Sequence, residues 1–127
     1  MISTDDRLAI LDLCARYNYA IDTGASEAWA DTFTADGVFD GPAGHAEGRD
    51  ALVAFCDQLA EQFPGAMHFT DNHLFERAAD GVRHRCFLSF QVPVEGRTDI
   101  WLLAYEDDLV SVGGEWRFRS RRVAPLR

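Results

Sequence analysis

A change of period at Pro64-Gly65 constrains the fold more than any other feature of this sequence. Before it, apolar residues recur three and four apart, the spacing of helices; after it they alternate, the spacing of strands. A chain built this way packs a group of helices against a later run of strands. The pattern therefore predicts an α+β domain with helices on one face of a curved sheet.

Three helices are predicted upstream. Ser3 or Thr4 caps the first, with Asp5 and Asp6 in its first turn, where negative charge suits the helix dipole. Its wide apolar face combines Leu8, Leu11, Ala15 and Tyr19 with Ile10, Leu13, Tyr17 and Ile21, and Gly24 ends it. Ser26 caps a short second helix holding Trp29 and Phe33, broken at Gly37. Val38-Phe39-Asp40 is a short strand, and Gly41 to Gly48 is a plain turn: no Lys-Ser/Thr follows to make a phosphate loop. Asp50 starts the third helix, with Leu52, Val53, Phe55, Cys56, Leu59 and Phe63 on one face.

Downstream, strands are predicted over residues 68–77, 82–94, 98–110 and 116–123, separated by turns at Ala79-Asp80-Gly81, Glu95-Gly96 and Gly113-Gly114. Hairpins in series make an antiparallel sheet. In the second strand Val82, His84, Cys86, Leu88, Phe90, Val92 and Val94 form the buried set. In the first, His68, Thr70 and Asn72 share one side, and Phe69, Asp71 and His73 share the other. His73 is thereby assigned to a surface or subunit contact, and His84 to a satisfied core position, with a second pocket imidazole in reserve.

Composition excludes several functions. The 127 residues carry a formal net charge of −9, which repels nucleic-acid phosphates and anionic membranes. The arginines at 117, 119, 121, 122 and 127 are expected to form a solvated face. Cys14, Cys56 and Cys86 are odd in number, widely spaced and set in apolar stretches, so they are expected to be reduced core residues. No CxxC or Cys/His spacing points to a metal. Neither a signal-peptide pattern nor an apolar run long enough for a bilayer is present, so a cytoplasmic single domain over residues 1–127 is expected.

The order Tyr17, Asp22-Thr23-Gly24, Trp29, Phe33-Thr34-Ala35-Asp36-Gly37-Val38-Phe39-Asp40 resembles the opening of the SnoaL-like, nuclear-transport-factor-2-like superfamily. Gly48-Arg49-Asp50-Ala51-Leu52, His68-Phe69-x-x-Asn72 and Gly114-Glu115-Trp116-Arg117-Phe118 extend the resemblance over nearly the whole chain. It implies a cone-shaped α+β barrel of the cystatin-like kind: three N-terminal helices in a strongly curved antiparallel sheet, enclosing an apolar pocket, commonly as a homodimer or homotrimer.

Within that superfamily, scytalone dehydratase and hexachlorocyclohexane dehydrochlorinase pair an Asp near the end of the first helix with a His on the first long strand. Asp22 and His68 fall on those positions, Asn72 matches an Asn of the dehydrochlorinase-like pattern, and Arg121 lies near its last-strand Arg. The second dehydratase His falls instead at Val92, its pocket Tyr at Gly41, and the dehydrochlorinase Lys at Tyr17. Tyr17 also matches the oxyanion-hole Tyr of ketosteroid isomerase, whose base would have to be Asp40, one residue out of register.

The resemblance thus implies a cofactor-independent lyase, a dehydratase or related eliminating enzyme, acting on a small cyclic or aromatic substrate. His68 is the expected base and Asp22 its orienting partner, because a carboxylate fixes the imidazole tautomer and raises its basicity. Tyr17, Asn72, Tyr105 and Arg121 are the expected polar pocket groups, and Trp29, Phe39, Phe55 and Phe90 the apolar lining. The alternatives are a non-catalytic small-molecule-binding or accessory domain and an isomerase of the ketosteroid type.

Overall fold

A computed structural model describes residues 2–126. Helix α1 spans Thr4–Asp22. Ser3 caps it by accepting the Asp6 N–H at 3.0 Å. At the other end Gly24 takes φ +72° and the Ala25 N–H returns to the Ala20 carbonyl, a left-handed glycine stop. The buried stripe is Ile10, Leu13, Cys14, Tyr17, Ala20 and Ile21. Of the broader predicted face, Leu8, Leu11 and Tyr19 are exposed, so the helix buries one stripe rather than two.

Helix α2 covers only Ser26–Ala30. Phe33, predicted as helical, begins strand β1, Phe33–Gly41, and the expected plain turn contains strand β2, Gly44–Glu47, which pairs antiparallel with β1. Both differences arise in a short polar stretch where periodicity has too few residues to discriminate. Helix α3 spans Arg49–Gln62 and buries Leu52, Phe55 and Cys56.

Strands β3 (Met67–Ala78), β4 (Gly81–Val94), β5 (Arg97–Val112) and β6 (Glu115–Pro125) form the predicted antiparallel meander. Gly81 permits the β3–β4 turn to approach β5: a Cβ there would lie 2.0 Å from the Leu109 carbonyl oxygen. The six strands are ordered β2-β1-β6-β5-β4-β3, with β1 joining β6 in parallel. That pairing connects strands from the start of the chain to the last one and was not visible in a hairpin-by-hairpin reading.

The helices lie on the concave side of this α+β sheet. Trp29, Phe33, Phe39, Phe55 and Phe118 pack there as a buried aromatic block. Truncating one such ring to Ala typically costs about 3–5 kcal/mol. On β4, Val82, His84, Cys86, Leu88, Phe90 and Val92 are all buried, as alternation predicts, while Val94 at the strand's end is only half-buried.

Alternation fails on β3. The register with β4 shifts between Asp71 and Leu74, and Asn72 adopts φ +58°. This bulge inserts one residue and turns the following side chain to the other face. His73 therefore comes inside, against His84, instead of standing at the surface. No helix of the described residues is long and apolar enough to cross a membrane.

Candidate functional site

Asp22 is the last residue of α1 and His68 the second of β3. The Asp22 carboxylate accepts the main-chain N–H of His68 with both oxygens, at 3.1 and 2.9 Å, and its Oδ1 lies 2.6 Å from the ring Nδ1. The His68 side chain is 7% exposed and that of Asp22 12%. The main-chain contact fixes the strand against the helix end, and the ring contact fixes the imidazole. With Nδ1 held by the carboxylate, Nε2 is the ring nitrogen left free of that contact. The ring packs on Phe90, centroid to centroid 4.7 Å, and lies edge-on to Tyr17 at 6.5 Å.

His68 forms part of the wall of a cavity of about 430 Å³ between α1, α3 and the concave sheet. Tyr17, Phe39, Phe55, Phe63, Phe90, Trp101 and Tyr105 line it with aliphatic neighbours, and Pro42 and Pro125 stand at its edge. Its polar side chains are His68, Gln62 and the two tyrosine hydroxyls, which are 3.5 Å apart. Burial pushes the Tyr17 phenol up to about 12 and the Tyr105 phenol well above its ordinary value. Both are therefore hydrogen-bond donors at neutral pH.

The other residues expected at the site lie elsewhere. Trp29 is fully buried behind the wall, stacked on Phe55 at 5.8 Å. Asn72 is exposed at the β3 bulge and does not line the cavity. Asp40 is exposed, 3.3 Å from His45, and also lies off the cavity, which removes the base that an isomerase of the ketosteroid type would require.

Arg121 is not on a solvated face. Its side chain is wholly buried, donates to Asp107 at 2.9 Å and lies over the rings of Tyr105, Tyr17 and Phe118 at 3.4, 4.4 and 4.4 Å. Burial works against its charge, but Asp107 and the phenols around it outweigh that and hold it protonated above its ordinary value. Arg121 thus backs the two cavity tyrosines without reaching the cavity itself.

Asp107 also lies 2.7 Å from Nδ1 of His84, and Nε2 of His84 lies 3.0 Å from Nδ1 of His73. Burial first, then His84 and Arg121, lowers the pKa of His73 and keeps it neutral. The sequence reading missed this chain. Its signal was parity: Asp107 falls on the buried side of β5 with Tyr105 and Leu109, and Arg121 on that of β6 with Val123. All three cysteines are buried free thiols.

Structures with this architecture are numerous, and two of them are described as having a cystatin-like fold. A variant of Rv3472, a function-unknown protein of Mycobacterium tuberculosis, is 32% identical with TM-score 0.89, the match covering 96% of this chain and 72% of that one. A candidate scytalone dehydratase of Novosphingobium aromaticivorans is 24% identical with TM-score 0.84, covering 96% and 85%. LinA is 21% identical with TM-score 0.85, covering 97% and 87%. The last two likenesses establish the fold alone. No curated protein sequence matches the chain. The model of the SnoaL-like domain matches residues 3–122, almost the full length. With its curled six-stranded sheet, its helices on the concave side and this match, the chain belongs to the SnoaL-like domain family.

Proposed function

We propose that this SnoaL-like domain is a cofactor-independent lyase that eliminates water or halide from a small cyclic or aromatic substrate. The observation that carries the reading is the 2.6 Å contact between Asp22 and His68 at the wall of an apolar cavity. Nε2 of His68 takes a proton from a substrate carbon, and the electron pair left behind forms the new double bond. The leaving group departs from the neighbouring carbon. In a dehydration the imidazolium returns its proton to the departing oxygen; where halide leaves, the proton passes to solvent.

Tyr17 and Tyr105 are the donors for a carbonyl or a departing oxygen, since both phenols stay protonated. The aromatic walls accept a flat ring by stacking and edge contacts, and a cavity of about 430 Å³ has room for a compact ligand. Phe69, Phe87 and Leu102 stand exposed on the outer face of the sheet, and a homodimer or homotrimer would cover them.

The test is proton NMR in D2O with a panel of cyclic β-hydroxy ketones and β-halo ketones, comparing the wild type with His68→Ala. Elimination, or deuterium exchange at the carbon beside the carbonyl, is expected with the wild type and absent from the variant. A compound that occupies the cavity but undergoes neither would replace this reading with that of a binding domain.

A further inference from the structure

Away from the cavity, three ligand-type side chains converge where α1 crosses the inner face of the sheet. Cys14 comes from α1, His73 from β3 and His84 from β4, and one donor atom of each lies within 4.8 Å of the others. We propose that Cys14, His73 and His84 bind a soft divalent cation, with Zn²⁺ the best chemical match, tying α1 to β3 and β4. The site shares no residue with the Asp22–His68 pair and does not depend on the lyase reading.

The donor set is one thiolate and two imidazoles, a combination that suits zinc, with metal–sulfur and metal–nitrogen distances of about 2.3 and 2.0–2.1 Å. Tetrahedral bonds of those lengths separate the two nitrogens by roughly 3.3 Å and the sulfur from each nitrogen by roughly 3.6 Å. His73 Nδ1 and His84 Nε2 are 3.0 Å apart and all three donor atoms lie within 4.8 Å of one another, so binding parts the rings slightly and draws the sulfur in. Three protein ligands leave a fourth position for water.

The surroundings are those of a built site. Asp107 holds Nδ1 of His84 at 2.7 Å and leaves Nε2 to the cation, the carboxylate–histidine–metal arrangement that orients a ligand and increases its basicity. Arg121 anchors Asp107 in turn at 2.9 Å. The left-handed Asn72 turns His73 inward. Cys14 and His73 both face a groove of about 680 Å³ between α1 and β3, which gives an ion a route in. On binding, the Cys14 thiol proton passes to solvent, and the proton between the two rings is exchanged for one on Nε2 of His73, so that both imidazoles stay neutral ligands.

Titration of the metal-free, untagged full chain with Co²⁺, followed by displacement with Zn²⁺, tests the proposal. The expected result is one equivalent of tetrahedral Co²⁺ showing a thiolate charge-transfer band, displaced by Zn²⁺. His73→Gln and Cys14→Ser should each abolish the band and weaken binding at least about tenfold, with circular dichroism confirming that each variant is folded. His45→Gln, which removes a surface imidazole beside Asp40 and Glu47, should change nothing. Absence of binding, binding without the thiolate band, or a band that survives His73→Gln would each overturn the proposal.

Discussion

Asp22 holds both the backbone and the ring of His68, so the same carboxylate joins two elements and sets the state of an imidazole. Asp22→Asn separates the two roles. The amide oxygen can still accept the main-chain N–H, but the amide nitrogen donates to Nδ1 and forces the ring proton onto Nε2. Turnover should fall by about a hundredfold or more while the melting temperature stays near that of the wild type. Asp22→Ala removes the acceptor as well and should cost about 1–3 kcal/mol of stability in addition. Steady-state kinetics and urea unfolding on both variants check this.

Arg121→Met leaves Asp107 buried without its cation. Breaking a buried pair from one side costs about 3–5 kcal/mol, a large share of a small domain's stability. Urea unfolding should show a midpoint far below that of the wild type. Arg121→Lys should recover part of the loss, because it restores the charge but not the flat face lying over Tyr105.

Alkaline pH should unfold the protein early. Burial raises Cys14 from 9.0 to about 11, Cys86 from 9.0 to about 12 and Tyr17 from 10.0 to about 12. The folded chain keeps these protons where the unfolded chain releases them. Their contribution is therefore fully present below about pH 9 and is lost as pH rises from there toward 12. Each group steepens the decline by up to about 1.4 kcal/mol per pH unit while it titrates only in the unfolded chain. Unfolding curves between pH 8 and pH 12 measure the slope. Tyr17→Phe should flatten the part above about pH 10.

Asn72 sits at φ +58°, which Asn tolerates and branched residues do not. Asn72→Gly should be close to neutral, Asn72→Ala should destabilise by about 1 kcal/mol, and Asn72→Val by more. A misplaced His73 would also appear in the NMR titration of its ring, which is neutral in the wild type.

The sequence revealed most where the chain is regular. Strict alternation placed β4 and its buried face correctly, and His68 and Asp22, whose positions also carry the family resemblance, meet as that resemblance implied. It revealed least where one residue interrupts a pattern. The bulge at Asn72 reverses His73, and nothing in His-Phe-Thr-Asp-Asn-His announces it. The arginines of β6 look alike in sequence, yet Arg121 alone has Asp107 opposite it in the ladder among the buried positions. On α1, two apolar stripes competed, and only packing shows that Leu8, Leu11 and Tyr19 stay outside.

The parallel joint between β1 and β6 also sets an order of events. β1 and β2 leave the ribosome before β3 to β6, but among the described residues their one strand partner beyond each other is β6, where Phe39 pairs with Arg121 and Asp40 with Arg122. Until β6 emerges, the β1–β2 hairpin has no sheet to join, and an isolated two-stranded hairpin is marginal in water. Pairing over so long a separation in sequence is also slow, because loop closure precedes the reward. Completion of the sheet therefore waits for β6, leaving the open edge of β1 exposed to neighbouring chains in the interval.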